Sequence, residues 1–91
     1  MNKNYIKEYS ELFYNSIIKE LLDNSFTINE LNLLIRDFSM NNLIIIKNNK
    51  DYSINEMVNR IKAFIFVLDS GYDFIVNNLL IKKMNNKFSD N

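Results

Sequence analysis

The sequence predicts a mainly α fold, a small helical bundle of three to four helices with a short strand at 43–47 as its one expected interruption. Three observations predict it. Apolar residues recur at helical spacing from Tyr5 to about Asp23, two further segments open with the same capping grammar, and the second of these continues as a one-faced apolar stripe to about Asp69. The alternative is an α+β fold with strands 43–47, 73–76 and 79–83.

In the first segment Tyr5, Ile6, Tyr9, Leu12, Phe13, Ile17, Ile18, Leu21 and Leu22 return every three or four positions, as an amphipathic helix requires. The stripe is not fixed, however. At 100° per residue its N-terminal half centres on Tyr5, Tyr9, Leu12 and Phe13, and its C-terminal half swings to Tyr14, Ile18, Leu21 and Leu22. One helix thus offers two apolar surfaces.

The next helix starts at Phe26-Thr27-Ile28-Asn29-Glu30-Leu31. Thr27 is placed to cap, Glu30 to reach back, and Phe26 to staple onto Leu31. It is expected to run from Ile28 to about Ser39 with Leu31, Leu34, Ile35 and Phe38 inward. The β-branched run Leu43-Ile44-Ile45-Ile46-Lys47, followed by Asn48-Asn49-Lys50-Asp51, reads as a short buried strand and turn, although so short an apolar run also suits a helical extension.

The capping grammar returns as Tyr52-Ser53-Ile54-Asn55-Glu56-Met57, with Ser53 as cap, Glu56 as its partner and Tyr52 over Met57. Convergence on one capping chemistry accounts for this likeness better than duplication, because repeat arrays need at least three units. The helix places Ile54, Met57, Val58, Ile61, Phe64, Ile65 and Leu68 on one face, with Phe66 opposite and Val67 off the stripe. Gly71, the only glycine, is placed to stop it as a left-handed residue. Beyond it, Asp73 to Met84 fits a fourth helix, favoured on length and spacing, or a hairpin around Asn77-Asn78. Residues 85–91 are polar and are expected to fray.

The 91 residues have room for one core and therefore form a single domain, 1–91. With 47% hydrophobic residues the chain folds. Eleven basic residues balance eleven acidic ones, so the cationic excess that drives most nucleic-acid binding is missing. Cysteine is absent, and with it disulfides, thiolate nucleophiles and thiolate metal sites. The opening residues lack the apolar stretch of a signal peptide, and no apolar run approaches membrane-spanning length. A cytoplasmic protein without membrane association is expected. Asn occurs 17 times, with many Ile and Lys, whereas Gln, His, Pro and Trp are missing. These are the residues of AT-rich codons, as in low-GC bacteria, their phages and some large viruses.

Without His or Cys, catalysis would fall to Asp, Glu, Lys, Tyr, Ser and Thr. The carboxylate pairs Glu8/Glu11, Glu20/Asp23 and Asp69/Asp73 sit on polar helix sides, where solvated charge explains them. Asp69-Ser70-Gly71-Tyr72-Asp73 lacks the ligand alternation and final Glu of a calcium loop, and one glycine cannot build a phosphate-cradling loop. No enzyme, cofactor or metal is expected.

What remains is surplus apolar surface, since seven Phe and five Tyr exceed what the core stripes use. Tyr14, Ile18 and Leu22, or Phe66 and Val67, are the expected contacts with a protein partner or a second copy, a homodimer. The corresponding function is a non-enzymatic protein-binding module, a small inhibitor, immunity or anti-defence factor of a phage or mobile element that blocks its partner. The alternative is a dimeric nucleic-acid-binding regulator gripping phosphates through Lys82, Lys83 and Lys87. Lysines in a last helical turn also complement the helix dipole. A helix-turn-helix is excluded because its recognition helix would begin Leu-Ile-Ile-Ile.

Overall fold

The computed structural model describes the backbone of residues 4–24 and 26–89, and the side chains of that range as far as Asn78. The fold is mainly α. Three helical rods make it up, and no strand occurs among the described residues. The first rod is α1 (Tyr5–Phe13), a π-helical turn (Tyr14–Ile18) and α2 (Lys19–Asp23) in one unbroken run; the others are α3 (Ile28–Asn48) and α4 (Ile54–Ser89).

The π turn explains why the first rod has a wandering stripe. Its buried residues are Tyr9, Phe13, Ile17 and Leu21, a strict four-residue spacing. In an α-helix each four-residue step carries the side chain about 40° round the axis. Three such steps would turn Leu21 well away from Tyr9. A turn closed on i+5 unwinds this drift and keeps all four on the core. Asn4 caps the rod, its side chain accepting from the Lys7 amide at 3.0 Å.

Both predicted helix starts form. The Thr27 hydroxyl accepts from the Glu30 amide at 3.2 Å and donates to its carboxylate at 3.1 Å. The Ser53 hydroxyl accepts from the Glu56 amide at 3.1 Å. The strand expected at 43–47 does not form, and α3 continues to Asn48 instead. Leu31, Ile35, Phe38, Asn42 and Ile46 continue one helical face through the run, and Ile46 is buried with Leu31 in the core. An isolated apolar run had no partner strand to pair with, whereas a helical extension satisfies its own backbone.

The hairpin and the separate fourth helix are corrected in the same way. α4 passes through Gly71 and continues to Ser89, into the stretch expected to fray; Asp90 and Asn91 lie outside the described residues. Gly71 has no positive φ and does not stop the helix. It serves packing. A Cβ at this position would lie 2.6 Å from Phe13 Cε1 and 2.9 Å from Cζ, so the missing side chain is the notch that admits the Phe13 ring. The α4 stripe is also rotated from the expected one. Arg60, Ala63, Phe64, Val67 and Ile75 are buried, while Ile54, Val58 and Ile65 face outward.

The first rod and α4 run parallel, with Tyr5 beside Glu56, Tyr9 beside Phe64 and Phe13 beside Gly71; α3 lies antiparallel to both. The centre is aromatic. Phe38 meets Phe13 edge to face at 5.5 Å and Phe64 at 5.7 Å, and Phe64 meets Tyr9 edge to face at 5.5 Å.

Candidate protein-binding groove

Two parallel helices whose buried lines face each other leave a furrow along their outer edge. Between the first rod and α4 that furrow is a shallow open groove of about 340 Å³ lined by Ser10, Tyr14, Ile18, Phe66, Ser70 and Phe74, with Phe13, Val67 and Gly71 as its floor. Tyr14 is 50% exposed, Phe66 56% and Phe74 53%. The floor is rigid because it belongs to the core: Phe13 and Val67 are both buried, and Phe13 is seated in the Gly71 notch.

The two alternative surfaces read from the sequence are therefore one surface. Tyr14 and Ile18 approach from the first rod, Phe66 from α4, and Val67 is beneath them at 5% exposure, supporting the groove without presenting a free side chain. Leu22 lies one step further along, in a small apolar pocket shared with Ile18, Leu21, Phe74, Ile75 and Asn78. Phe74 and Ser70 were missed by sequence reasoning, because Gly71 read as a helix stop separated Phe74 from Phe66. The signal was present in Phe66, Ser70 and Phe74 at successive four-residue steps.

The polar groups of the groove are few. The Ser10 hydroxyl donates to its own helix at Ile6 O, 2.7 Å away. Two of the carboxylate pairs, Glu20/Asp23 and Asp69/Asp73, are exposed on helix surfaces, as is Glu11. A second groove, of about 420 Å³, separates the first rod from α3 and mixes Leu12, Ile17 and Ile45 with Asp37, Asn41 and Asn42. It contains none of the sequence-predicted contact residues. The backbone of Lys82, Lys83 and Lys87 is helical within α4, and their side chains lie outside those described. Among the described residues no helix is long and apolar enough to cross a membrane.

A polar node holds the groove's two walls at one end, and sequence reasoning did not foresee it. Arg60 is buried at 8% exposure. Its Nη1 donates to Glu8 Oε1 at 3.0 Å, and its Nη2 lies 3.6 Å from Glu56 Oε1. Its guanidinium lies over the rings of Tyr52 and Tyr5, at 4.2 and 4.8 Å from their centroids. Tyr52, expected over Met57, stacks on Arg60. The Tyr5 hydroxyl donates to Glu56 Oε1 at 3.4 Å. Among the described residues the buried Arg60 Nε has no hydrogen-bond partner, a cost the stacked rings and two carboxylates offset. Burial alone would lower the guanidinium's proton affinity, but hydrogen bonds to Tyr9 and Glu8 and the Glu8 charge raise it overall.

Tyr9 shows the opposite balance. Burial pushes its phenol above the usual tyrosine value, and the hydrogen bond and charge of Arg60 only partly oppose this. A phenol whose folded pKa lies above its unfolded pKa favours the native state fully below pH about 10 and loses that contribution as pH rises through the folded value. Stability is expected to fall above pH about 10, and Tyr9→Phe to flatten this fall in urea melts run from pH 8 to 11. An unchanged alkaline slope in the variant would refute the assignment.

No family model matches this chain, and no curated protein or solved structure is significantly similar to it.

Proposed function

We propose that this protein is a non-enzymatic binding module that acts by occupying the surface of a partner protein, as a small inhibitor, immunity or anti-defence factor encoded by a phage or mobile element does. The observation that supports this reading is the groove, in which Tyr14, Phe66 and Phe74 stand half exposed around Ile18 on two helices fixed by a shared core. Aromatic side chains are the commonest anchors of protein interfaces, since they bury much area for little lost conformational freedom. A furrow between two helices accepts the apolar face of a third.

The test is capture from an AT-rich bacterial lysate with the wild-type chain and with the double variant Tyr14→Glu/Phe66→Glu. Both positions are half exposed, so the variant is expected to keep its helical circular dichroism and melt within about 0.5 kcal/mol of wild type. The wild type is expected to retain a stoichiometric protein that the variant loses by more than tenfold. Failure to retain any protein, or equal retention by both, would sink the reading.

A further inference from the structure

The three rods differ in length in a way their own packing does not explain. At 1.5 Å per residue α4 rises roughly 54 Å, the first rod roughly 28 Å and α3 roughly 32 Å. The long dimension of the molecule, 56 Å, is that of α4. All three rods are level at the Arg60 end, where Tyr5 bonds to Glu56 and residues 49–53 join α3 to α4. The excess of α4 is therefore all at its other end. The first rod runs out where Leu21 and Leu22 meet Ile75 and Asn78, and α4 continues from there to Ser89, roughly 16 Å further, with no described helix of its own chain beside it. Most helical stability in proteins comes from tertiary packing, and over this stretch no described helix of the chain supplies it.

The surface area agrees. The chain exposes 6989 Å², whereas a monomer of its mass is expected to expose roughly 5,600 Å². The difference is of the size each copy covers in an obligate dimer, about 1,000 Å² or more.

The sequence of α4 indicates what covers it. Asp69 and Asp73 precede Asn78 by nine and five residues, and Lys87 and Lys83 follow it by nine and five, so reversing the helix about Asn78 exchanges acid for base. Ser70, Phe74, Asn77, Ile81, Met84 and Phe88 recur at alternating steps of four and three, the seam of a two-helix coiled coil. Asp69, Ser70, Asp73 and Phe74 are all exposed.

We propose that a second copy of this chain packs antiparallel along residues 69–88 of α4, with the two-fold axis near Asn78. Asp69 and Asp73 of each copy then face Lys87 and Lys83 of the other. A parallel pair would set acid against acid and base against base. Each overhang lies along the other copy's α4, beside its groove, and the dimer presents two grooves. The seam shares Ser70 and Phe74 with the groove but leaves Tyr14, Ile18 and Phe66 outside it, so the interface does not depend on capture of a foreign protein.

Light scattering on the full chain tests the proposal, with a basic variant (Asp69→Lys/Asp73→Lys) and an acidic variant (Lys83→Glu/Lys87→Glu). The wild type is expected to weigh two chains. Each variant alone is expected to associate at least about tenfold more weakly, and a one-to-one mixture of the two to dimerise again. A monomeric wild type at high concentration, or variants that dimerise unaided, would overturn it. Orientation is read in the cysteine-free background with single cysteines. Under oxidation Asn78→Cys is expected to cross-link and Ser70→Cys not to; cross-linking of both would mean a parallel pair and would overturn the proposal. The charge variants substitute no groove residue and Tyr14→Glu/Phe66→Glu substitutes no seam residue, so loss of the dimer and loss of partner capture are read from different variants.

Discussion

Replacing Gly71 with leucine is expected to destabilise the fold by about 3 kcal/mol, read as a fall in urea midpoint at unchanged slope. Helix propensity alone predicts the reverse, since Gly is about 1 kcal/mol worse than other residues inside a helix. Space decides the sign. A Cβ would already lie 2.6 Å from the Phe13 ring. That ring has nowhere to go, being buried and held edge to face by Phe38. Gly71→Ala, which combines the propensity gain with a smaller clash, is expected to lose only about 1 kcal/mol. Trimming the obstacle checks the cause: in a Phe13→Leu background Gly71→Ala should become neutral or stabilising. A Gly71→Leu protein as stable as wild type would show that the notch carries no packing.

Arg60→Ala is expected to cost about 3 kcal/mol, or a melting temperature lower by roughly 12–24 °C. The substitution removes at once the stacking on Tyr5 and Tyr52, the ion pairs to Glu8 and Glu56, and a side chain that fills space between the first rod and α4. Arg60→Lys should recover only part of this, because an ammonium cannot lie flat between two rings while donating in plane to Glu8 and pairing with Glu56. Arg60→Met separates volume from charge. It restores bulk but leaves Glu8, Glu56 and the Tyr9 hydroxyl without their cation, and an intermediate loss is expected. The exposed Lys62, two residues away, is the control: Lys62→Ala should change stability by less than about 0.5 kcal/mol. Thermal melts in which Arg60→Ala and Lys62→Ala coincide would show that the node is not a clamp.

Both effects bear on the groove. Its walls are the first rod and α4, and two of the fittings that fix the distance between them are Phe13 in the Gly71 notch at its floor and the Arg60 node at its end. Loosening either is expected to weaken partner capture as well as stability. The double substitution Tyr14→Glu/Phe66→Glu should weaken capture alone.

How much of this was legible in the sequence depended on the range of the signal. Thr27 with Glu30 and Ser53 with Glu56 are complete within four residues, so both helix starts could be read directly and both formed. The wandering stripe of the first rod was equally visible, but the structure draws one buried line, Tyr9, Phe13, Ile17 and Leu21, through both of its halves and leaves Leu12, Tyr14 and Leu22 exposed. The π turn that keeps this line on the core was not legible, because it answers to a core that the rod does not contain. Tyr14, Ile18 and Phe66 could be singled out as surplus, but their meeting in one groove depends on the parallel pairing of helices some fifty residues apart in the chain.

By itself, then, the sequence determined that the chain is helical, where two of its helices begin, and which side chains no single helix face could bury. Tertiary structure alone decided that Leu43 to Lys47 extends a helix, that Gly71 is a notch and not a stop, that Val67 lies under the groove, and that Arg60 is buried between two tyrosines. For Gly71 and Arg60 a deciding partner, Phe13 or Tyr5 and Glu8, is distant in sequence. Gly71 lies where the Phe13 ring takes the space of its missing Cβ, and Arg60 is buried because Tyr5 and Glu8 of the first rod join Tyr52 and Glu56 in replacing the water it gives up.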